Sequence, residues 1–421
     1  MSLPPFITRT EASEVAPELA ARLILSLRQG SNSLEGVGLY SAGREPLLRA
    51  ATGLTRDLTL SGGSAVRWLK GAYGSGKTHM FARLLEVAHC QKWLVSYVQV
   101  SGKGQGCELH RFEEVYGAIN RNCISPEQAT ATQVLTNPGC ENGWQWLLES
   151  WVEALKRQVG AGAGADVPSF RVREAVDTAM SQLRRSYGIQ GSFASALRAY
   201  STAMLDDDLE LAELLLDWFA GSDVFKRGPE VRASLRTAGI LEVVSRKNAK
   251  ALLRQLTAFA RYRGYSGVLI LVDEVENVLQ LTPASRRTAY TVLRELIDNA
   301  DERHGMARTL IYLSGTPDLF EGEKGITEYE ALASRVILPT RTSAPNPAGA
   351  VVDLAAFPIT SEDLRAIASR IVELHARADG SAGNTAALTS DRFGELMRSA
   401  SAQSPRLWVR TVVEFLDTLP A

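Results

Sequence analysis

The stretch of sequence that decides the fold is SAVRWLKGAYGSGKT, residues 64–78. Residues 65–69 favour a β-strand, and the pattern Gly71-x4-Gly76-Lys77-Thr78 follows directly. This order matches the template of a phosphate-binding loop (P-loop) without a mismatch. We therefore expect a strand, a glycine-rich loop and a helix that runs from residue 77 to about residue 92.

The residue types in this loop suit a nucleotide. Glycines let the backbone N–H groups point inward, and the helix N-terminus adds positive potential for phosphate oxygens. Lys77 would reach the β- and γ-phosphates, and Thr78 would bind Mg²⁺ through its hydroxyl. His79 is expected on the helix surface, not as a catalytic base. The residues expected to contact the nucleotide here are Gly71, Tyr73, Gly74, Ser75, Gly76, Lys77, Thr78 and His79.

A second strand, GVLILVDE at residues 267–274, supplies acidic groups. Its uninterrupted apolar run is typical of a strand buried on both faces of a parallel sheet. Asp273 lies at the carboxyl end, where open α/β sheets bind ligands, and would hold Mg²⁺ through water. Glu274 would then act as the general base on the attacking water, so the acid pair favours hydrolysis of ATP over simple storage.

A third strand, RTLIYLSGTP at residues 308–317, closes in Ser314-Gly315-Thr316. A polar side chain at this strand end would lie between the two metal-bearing loops and sense the γ-phosphate. Ser314 or Thr316 could serve this role. The alternative is an ordinary junction between a strand and a turn, since Gly and Pro mark such junctions.

Taken in this order, the three segments resemble an AAA+ ATPase, and three shorter matches extend the resemblance. Gly43-Arg44-Glu45 resembles the GRE box of origin-recognition-type AAA+ proteins, which implies that Arg44 lies near the adenine. Ala333-Ser334-Arg335-Val336 takes the place of the arginine finger, which implies that Arg335 acts on a neighbouring subunit of a homo-oligomer. Ser404-Pro405-Arg406 resembles the second sensor, which implies that Arg406 in a helical lid contacts the γ-phosphate.

The chain is also similar to the BREX-associated ATP-binding proteins of the BrxD type, over about residues 15–415. The resemblance implies an ATPase that works with DNA-acting partners, often a helicase, in bacterial phage defence. The segments that carry it are GAYGSGKTHM (71–80), VSYVQVS (95–101), LHRFEEVYGAI (109–119), GYSGVLILVDEVENV (264–278), SRRTAYTVLRELID (285–298) and GTPDLFEGEKGITEYEALASRV (315–336).

The domain organisation follows from the number of residues between Lys77 and Asp273. This number is larger than a minimal P-loop core requires between its two metal-binding strands. We expect a doubly wound, mostly parallel α/β sheet with a helical insertion and a C-terminal helical lid. GAGAGAD at residues 160–166 is a flexible hinge by composition. The predicted units are an N-terminal helical segment (1–60), the first part of the core (61–123), the insertion (124–245), the second part of the core (246–345) and the lid (346–421).

The charge of the chain is nearly balanced, with 46 Lys plus Arg, 47 Asp plus Glu and a net charge of −1. No global field therefore attracts a nucleic acid. Residues 221–263, however, form a basic segment with ten basic side chains against three acidic ones. It could contact DNA or a partner, or it could be a solvated face paired with the acidic stretch before it. In that stretch, the side chains expected on a buried helical face are Leu209, Leu211, Leu214, Leu215, Trp218 and Phe219.

The remaining features concern the compartment and the N-terminus. The four cysteines show no CxxC spacing and no signal peptide precedes them, which predicts free thiols in a reducing cytoplasm. No apolar run approaches the roughly 18 residues that span a membrane. An amphipathic helix from residue 11 to about residue 28 is expected to pack on the sheet.

Three functions stay open at this level. The first is Mg²⁺-dependent ATP hydrolysis coupled to DNA-acting partners. The second is an ATP-dependent switch or scaffold that assembles with defence proteins and hydrolyses slowly. The third is a P-loop motor that translocates DNA, although the chain lacks recognisable helicase motifs after the acid pair.

Overall fold

The computed structural model describes residues 15–30, 36–130, 143–160, 169–301, 305–337, 345–379, 388–400 and 405–419. Among them, no helix is both long and apolar enough to cross a bilayer. Most of the hinge predicted at 160–166, the start of the N-terminal helix predicted at residue 11, and Ser404 fall outside the described residues.

A six-stranded sheet forms the centre of the molecule, in the order β3-β2-β4-β5-β1-β6. Neighbouring strands run parallel except β3, which is antiparallel to β2. The expected mixed α/β, mostly parallel sheet is therefore confirmed. Its strands are β1 (Ser64–Lys70), β2 (Trp93–Gln99), β3 (Cys123–Ile124), β4 (Gly267–Asp273), β5 (Thr309–Gly315) and β6 (Val351–Asp353).

All seven residues of β4 and all seven of β5 are buried, as their apolar sequences predict. Val268, Ile270 and Val272 pack with the helices on one face of the sheet, whereas Leu269 and Leu271 pack with those on the other. The strand β5 lies between β1 and β4. This order brings the carboxyl ends of the three strands to one edge, next to the glycine-rich loop.

Helices cover both faces of the sheet and form the parts outside it. Their bounds are α1 (Pro17–Gln29), α2 (Val37–Tyr40), α3 (Glu45–Ser61), α4 (Lys77–Cys90), α5 (Phe112–Arg121), α6 (Pro126–Thr130), α7 (Gly143–Gly160), α8 (Ser169–Tyr187), α9 (Gly191–Leu205), α10 (Leu209–Phe219), α11 (Pro229–Thr237), α12 (Ala249–Tyr262), α13 (Pro283–Asp301), α14 (Pro317–Glu321), α15 (Glu330–Val336), α16 (Ser361–Asp379), α17 (Asp391–Ala400) and α18 (Pro405–Asp417).

The helices α7–α11 occupy the region predicted as a helical insertion, and their core is continuous with one face of the sheet. Trp144 packs against Phe193, Phe219 and Phe259 with ring centroids 5.3–5.9 Å apart. Leu209 differs from the prediction, because it is 63% exposed. It is the first residue of α10, directly after the capping residue Asp208. At this position no preceding helical turn covers its side chain.

The N-terminal helix also differs from the prediction. Instead of packing on the sheet, α1 packs against α16 and α18. Its Leu23, Ile24 and Leu27 join a core with Ile371 and Trp408, separate from the cores on the sheet. The two ends of the chain therefore form one helical unit, because the apolar stripe of α1 needs a partner that the already covered sheet does not offer.

A second difference concerns the predicted lid region, residues 346–421. Its residues 351–353 form β6, which pairs in parallel with β1 at Trp68, Leu69 and Lys70. The helical part begins only with α16. A three-residue strand is too short for its sequence pattern to be recognised, and its pairing partner is almost 300 residues earlier in the chain.

Candidate functional site

The glycine-rich loop connects β1 to α4 and is shaped by positive φ angles. Gly74 and Gly76 have φ of 75° and 91°, which side chains rarely adopt, so the loop needs glycine at these positions. Lys77 opens α4 and is only 8% exposed. Its Nζ donates to the carbonyl oxygens of Gly71 at 2.9 Å and Ala72 at 3.3 Å. The lysine thus lies inside the loop that the sequence assigned to phosphate.

Asp273, at the end of β4, is the hub of the hydrogen bonds at this sheet edge. It is 1% exposed, and its Oδ2 accepts from the Thr78 hydroxyl at 2.7 Å and the Tyr97 hydroxyl at 3.0 Å. Its Oδ1 accepts from the Ser314 hydroxyl and from the backbone N–H of Glu274 at 3.0 Å. The structure therefore brings together side chains from α4, β2, β4 and β5.

Tyr97 is a site residue that the sequence reasoning missed. It lies on β2, two residues before the strand ends, and its hydroxyl meets Asp273. Burial, and then the neighbouring Asp273 carboxylate, raise the pKa of the Tyr97 phenol, so it remains a neutral donor. The signal in the sequence was slight: an aromatic residue with a polar tip near the end of an otherwise apolar strand.

Glu274 has a φ of 57° and turns the chain out of β4 into a short 3-10 turn, Val275–Gln280. Asn277 Nδ2 donates to Glu274 Oε2 at 3.2 Å and to the Val100 carbonyl at 2.9 Å. The amide of Asn277 therefore ties the Glu274 carboxylate to the end of β2. The sequence reasoning did not select Asn277.

Glu276, two residues after Glu274, was missed as well. It is 5% exposed, and neither of its carboxylate oxygens has a hydrogen-bond partner. Its Oε1 lies 3.9 Å from the Nζ of Lys77. Burial raises the pKa of Glu276, while its own backbone N–H and then the ammonium of Lys77 oppose that shift. The acid could have been suspected only from its place in VDEVEN, directly behind the acid pair.

A cavity of about 280 Å³ opens beside the loop, between the N-terminal segment and the helices of the C-terminal unit. Arg44 lines it and is fixed by a bond from its Nε to the carbonyl oxygen of Phe357 at 3.0 Å. Burial lowers the pKa of Arg44 to about 10, so it remains a cation. Arg406 and Val409 of α18 line the cavity as well. The cavity thus contains cationic groups from the N-terminal segment and from the C-terminal unit.

The donor set at the sheet edge fits Mg²⁺. The hydroxyl of Thr78 and the carboxylate of Asp273 are hard oxygen groups of the kind that Mg²⁺ accepts, usually together with several waters. They lie within 2.7 Å of each other, next to the loop.

His79 is placed differently from its prediction. Its Nε2 lies 2.7 Å from the hydroxyl of Ser41, and its ring contacts that of Tyr40 with centroids 5.6 Å apart. It therefore faces the N-terminal segment and lines the cavity, because the chain before α3 folds over the start of α4. Burial lowers the pKa of His79 to about 3, so the ring is neutral.

Arg335 and Thr316 are not among the residues that line the cavity. Arg335 pairs through Nε with Asp298 Oδ1 at 2.5 Å and donates through Nη1 to the Ala331 carbonyl at 2.6 Å. Thr316 is buried just after β5, at the start of α14, and of the two candidates it is Ser314 that bonds to Asp273.

The basic segment 221–263 is partly neutralised. Arg227 pairs with Asp217 of the acidic stretch at 2.6 Å, and Lys250 pairs with Glu295. Arg246 and Lys247, by contrast, are exposed between α11 and α12. The ion pairs thus support a solvated face paired with the acidic stretch, whereas the two exposed residues support a contact with DNA or a partner.

The fold and the site together define a mixed α/β protein with a glycine-rich loop and a carboxylate cluster at one edge of its sheet. A model of the BREX system ATP-binding protein BrxC/D family matches residues 15–421, so the chain belongs to this family. The expected resemblance to BREX proteins of the BrxD type is therefore confirmed. No curated protein and no solved structure matches the chain.

Proposed function

We propose that the protein hydrolyses ATP in the manner of an AAA+ ATPase with Mg²⁺. The observation that supports this most is the convergence of Thr78, Ser314 and Asp273 beside Lys77. These groups come from distant parts of the chain and meet at the carboxyl edge of the sheet. A site that handles a phosphate and a metal gives all of them a role.

In the proposed reaction, the loop N–H groups and Lys77 bind the β- and γ-phosphates of ATP. Mg²⁺ would be held by Thr78 and, through water, by Asp273, and would neutralise charge on the phosphates. Glu274 takes the proton of the attacking water, and Asn277 holds its carboxylate ready at the end of β2. Ser314, bonded to Asp273, transmits the state of the γ-phosphate to β5.

Three arginines complete the proposal. Arg44 and Arg406 both line the cavity and would contact the bound nucleotide. Arg335 lies outside the cavity, at the end of α15, and is free to reach a neighbouring subunit only after exchanging its partner Asp298. The active form would then be a homo-oligomer, since an arginine supplied in trans contributes on the order of 10³ to 10⁵ in rate.

The test of hydrolysis uses two variants that differ in their effect on ATP binding. Glu274→Gln should keep ATP bound while turnover falls at least about 100-fold, because the general base is lost. Lys77→Ala should lose ATP binding itself. Binding is measured with a fluorescent ATP analogue and turnover by phosphate release. Equal turnover in the wild type and Glu274→Gln would contradict the mechanism.

We also propose that the basic segment meets DNA through its exposed residues, and that a helicase or another defence protein binds nearby. The exposed pair Arg246 and Lys247 supports this. Neutralising Arg246, Lys247 and Lys250 together should weaken DNA binding and reduce its dependence on salt. Unchanged salt-sensitive binding would refute the DNA contact.

The two rival functions are separated by one experiment. The ATPase rate is measured with single-stranded and double-stranded DNA and without DNA, beside oligomer size with and without ATP. Strong stimulation by DNA favours a translocating motor. Assembly that depends on nucleotide, at negligible turnover, favours a switch or scaffold.

A further inference from the structure

Glu276 has no role in the proposed reaction, yet its environment is unusual. A carboxylate that is 5% exposed normally has hydrogen bonds to offset the loss of water. Both oxygens of Glu276 are without them, and the group faces the nucleotide cavity. A carboxyl group buried in this way takes up a proton unless a cation lies nearby to stabilise its charge.

The cation near Glu276 is Lys77, whose Nζ lies 3.9 Å from Oε1. The other charged groups around it are acidic: Asp273 and Glu274 both act on Glu276 to oppose its ionisation. The ring of Tyr73, 5.3 Å from Lys77 Nζ, covers the ammonium from the outer side. Lys77 is therefore the cation that, together with the backbone N–H of Glu276 itself, favours the ionised form of this carboxyl group.

Lys77 is also the group that a triphosphate needs. In the structure its Nζ donates to the carbonyl oxygens of Gly71 and Ala72 and lies 3.9 Å from Glu276 Oε1. A terminal phosphate that approaches Lys77 meets the Glu276 carboxylate beside it. The two anions then compete for one ammonium in a site with little water.

We propose that Glu276 is a positioning residue for Lys77. Its carboxylate competes with the terminal phosphate for the Lys77 ammonium and so sets the affinity for ATP relative to ADP. The inference rests on the proposed nucleotide site and adds to it a group that weakens ATP binding. The carboxylate holds Lys77 within the loop before nucleotide arrives, and it repels ATP more than ADP because ATP carries one more negative charge.

The test compares equilibrium binding of ADP and of a non-hydrolysable ATP analogue, both with Mg²⁺, to the full-length wild type and to Glu276→Gln. The variant keeps the size of the side chain and removes its charge. We expect it to bind the ATP analogue about tenfold more tightly or better, with a smaller change for ADP. The control is Glu323→Gln, which removes the same charge from an exposed position and should change neither affinity.

A merely structural role for Glu276 predicts the opposite sign, because a disturbed loop binds both nucleotides more weakly. Equal or weaker binding of the ATP analogue by Glu276→Gln would therefore overturn the inference. If that variant does not fold, Glu276→Asp provides the second arm. Its shorter side chain moves the carboxylate away from Lys77 by the length of one methylene group. This variant should therefore also bind the ATP analogue more tightly. Wild-type affinity in this variant would be equally decisive against the inference.

The outcomes are distinguishable from those of the proposed function. If the wild type binds ATP without hydrolysing it, the proposed reaction fails while the affinity difference still tests Glu276. If hydrolysis occurs and Glu276→Gln binds like the wild type, only the role of Glu276 fails. If the wild type binds neither nucleotide, both proposals are refuted.

Discussion

The hydroxyl of Tyr97 offers the sharpest test of the carboxylate hub. It donates to Asp273 Oδ2 at 3.0 Å, beside the hydroxyl of Thr78 on the same oxygen. A hydrogen bond to a charged group contributes about 1.5–3 kcal/mol, and we expect the lower figure because Thr78 remains. If Asp273 holds Mg²⁺ through water, Tyr97→Phe should raise the Mg²⁺ concentration needed for half-maximal ATP turnover about tenfold.

The chain offers a matched control for this change. Tyr312 on β5 packs edge-on against Phe81 with ring centroids 6.5 Å apart, and so does Tyr97. The hydroxyl of Tyr312, however, does not bond to Asp273. Tyr312→Phe should therefore leave the Mg²⁺ requirement unchanged. The reasoning is refuted if Mg²⁺ titrations of ATP turnover give the same midpoint for Tyr97→Phe, Tyr312→Phe and the wild type, at comparable melting temperatures.

Three further predictions concern the cavity and its surroundings. Arg335→Ala should leave ATP binding unchanged but remove the rise of specific ATPase activity with protein concentration, and an unaltered concentration series would refute a role in trans. Arg406→Ala should weaken ATP binding about tenfold with little change in melting temperature, since the side chain is exposed on α18; a titration with a fluorescent analogue checks this. His79 has a pKa of about 3 in the folded chain against about 6.5 when unfolded, so the folded state binds fewer protons and loses stability as pH falls below 6.5. At pH 5 this lowers the free energy of unfolding by up to about 2 kcal/mol. Between pH 7.5 and pH 5 the melting temperature of His79→Gln should therefore fall less than that of the wild type. An equal fall in both proteins would contradict the burial of the ring.

The order of the central elements could be predicted from local sequence. Residues 64–78 and 267–274 are continuous signals, because a loop needs glycine where φ is positive and a doubly buried strand needs an unbroken apolar run. A polar residue at the end of β5 could be predicted as well, but the choice between Ser314 and Thr316 came only from the structure. Parallel strands in a sheet bring their carboxyl ends together, so the strand ends alone indicated which polar residues would meet.

The sequence could not reveal contacts made by side chains whose own surroundings look ordinary. Tyr97, Glu276 and Asn277 reach the site through the folding of β2 and of the turn after β4, and each is a common residue type in an unremarkable context. The packing of α1 on α16 and α18 is similar. Its apolar stripe shows that it needs a partner, but the stripe carries no information about which of several apolar faces will cover it.

The sequence by itself determined the glycine-rich loop, the acid pair and the mostly parallel sheet, because each depends on backbone conformation and burial within a few neighbouring residues. The tertiary structure alone decided that Asp273 gathers donors from three other elements, that His79 faces inward, and that Lys77 lies beside the buried Glu276. These relations depend on distances between segments far apart in the chain, which periodicity and spacing do not encode.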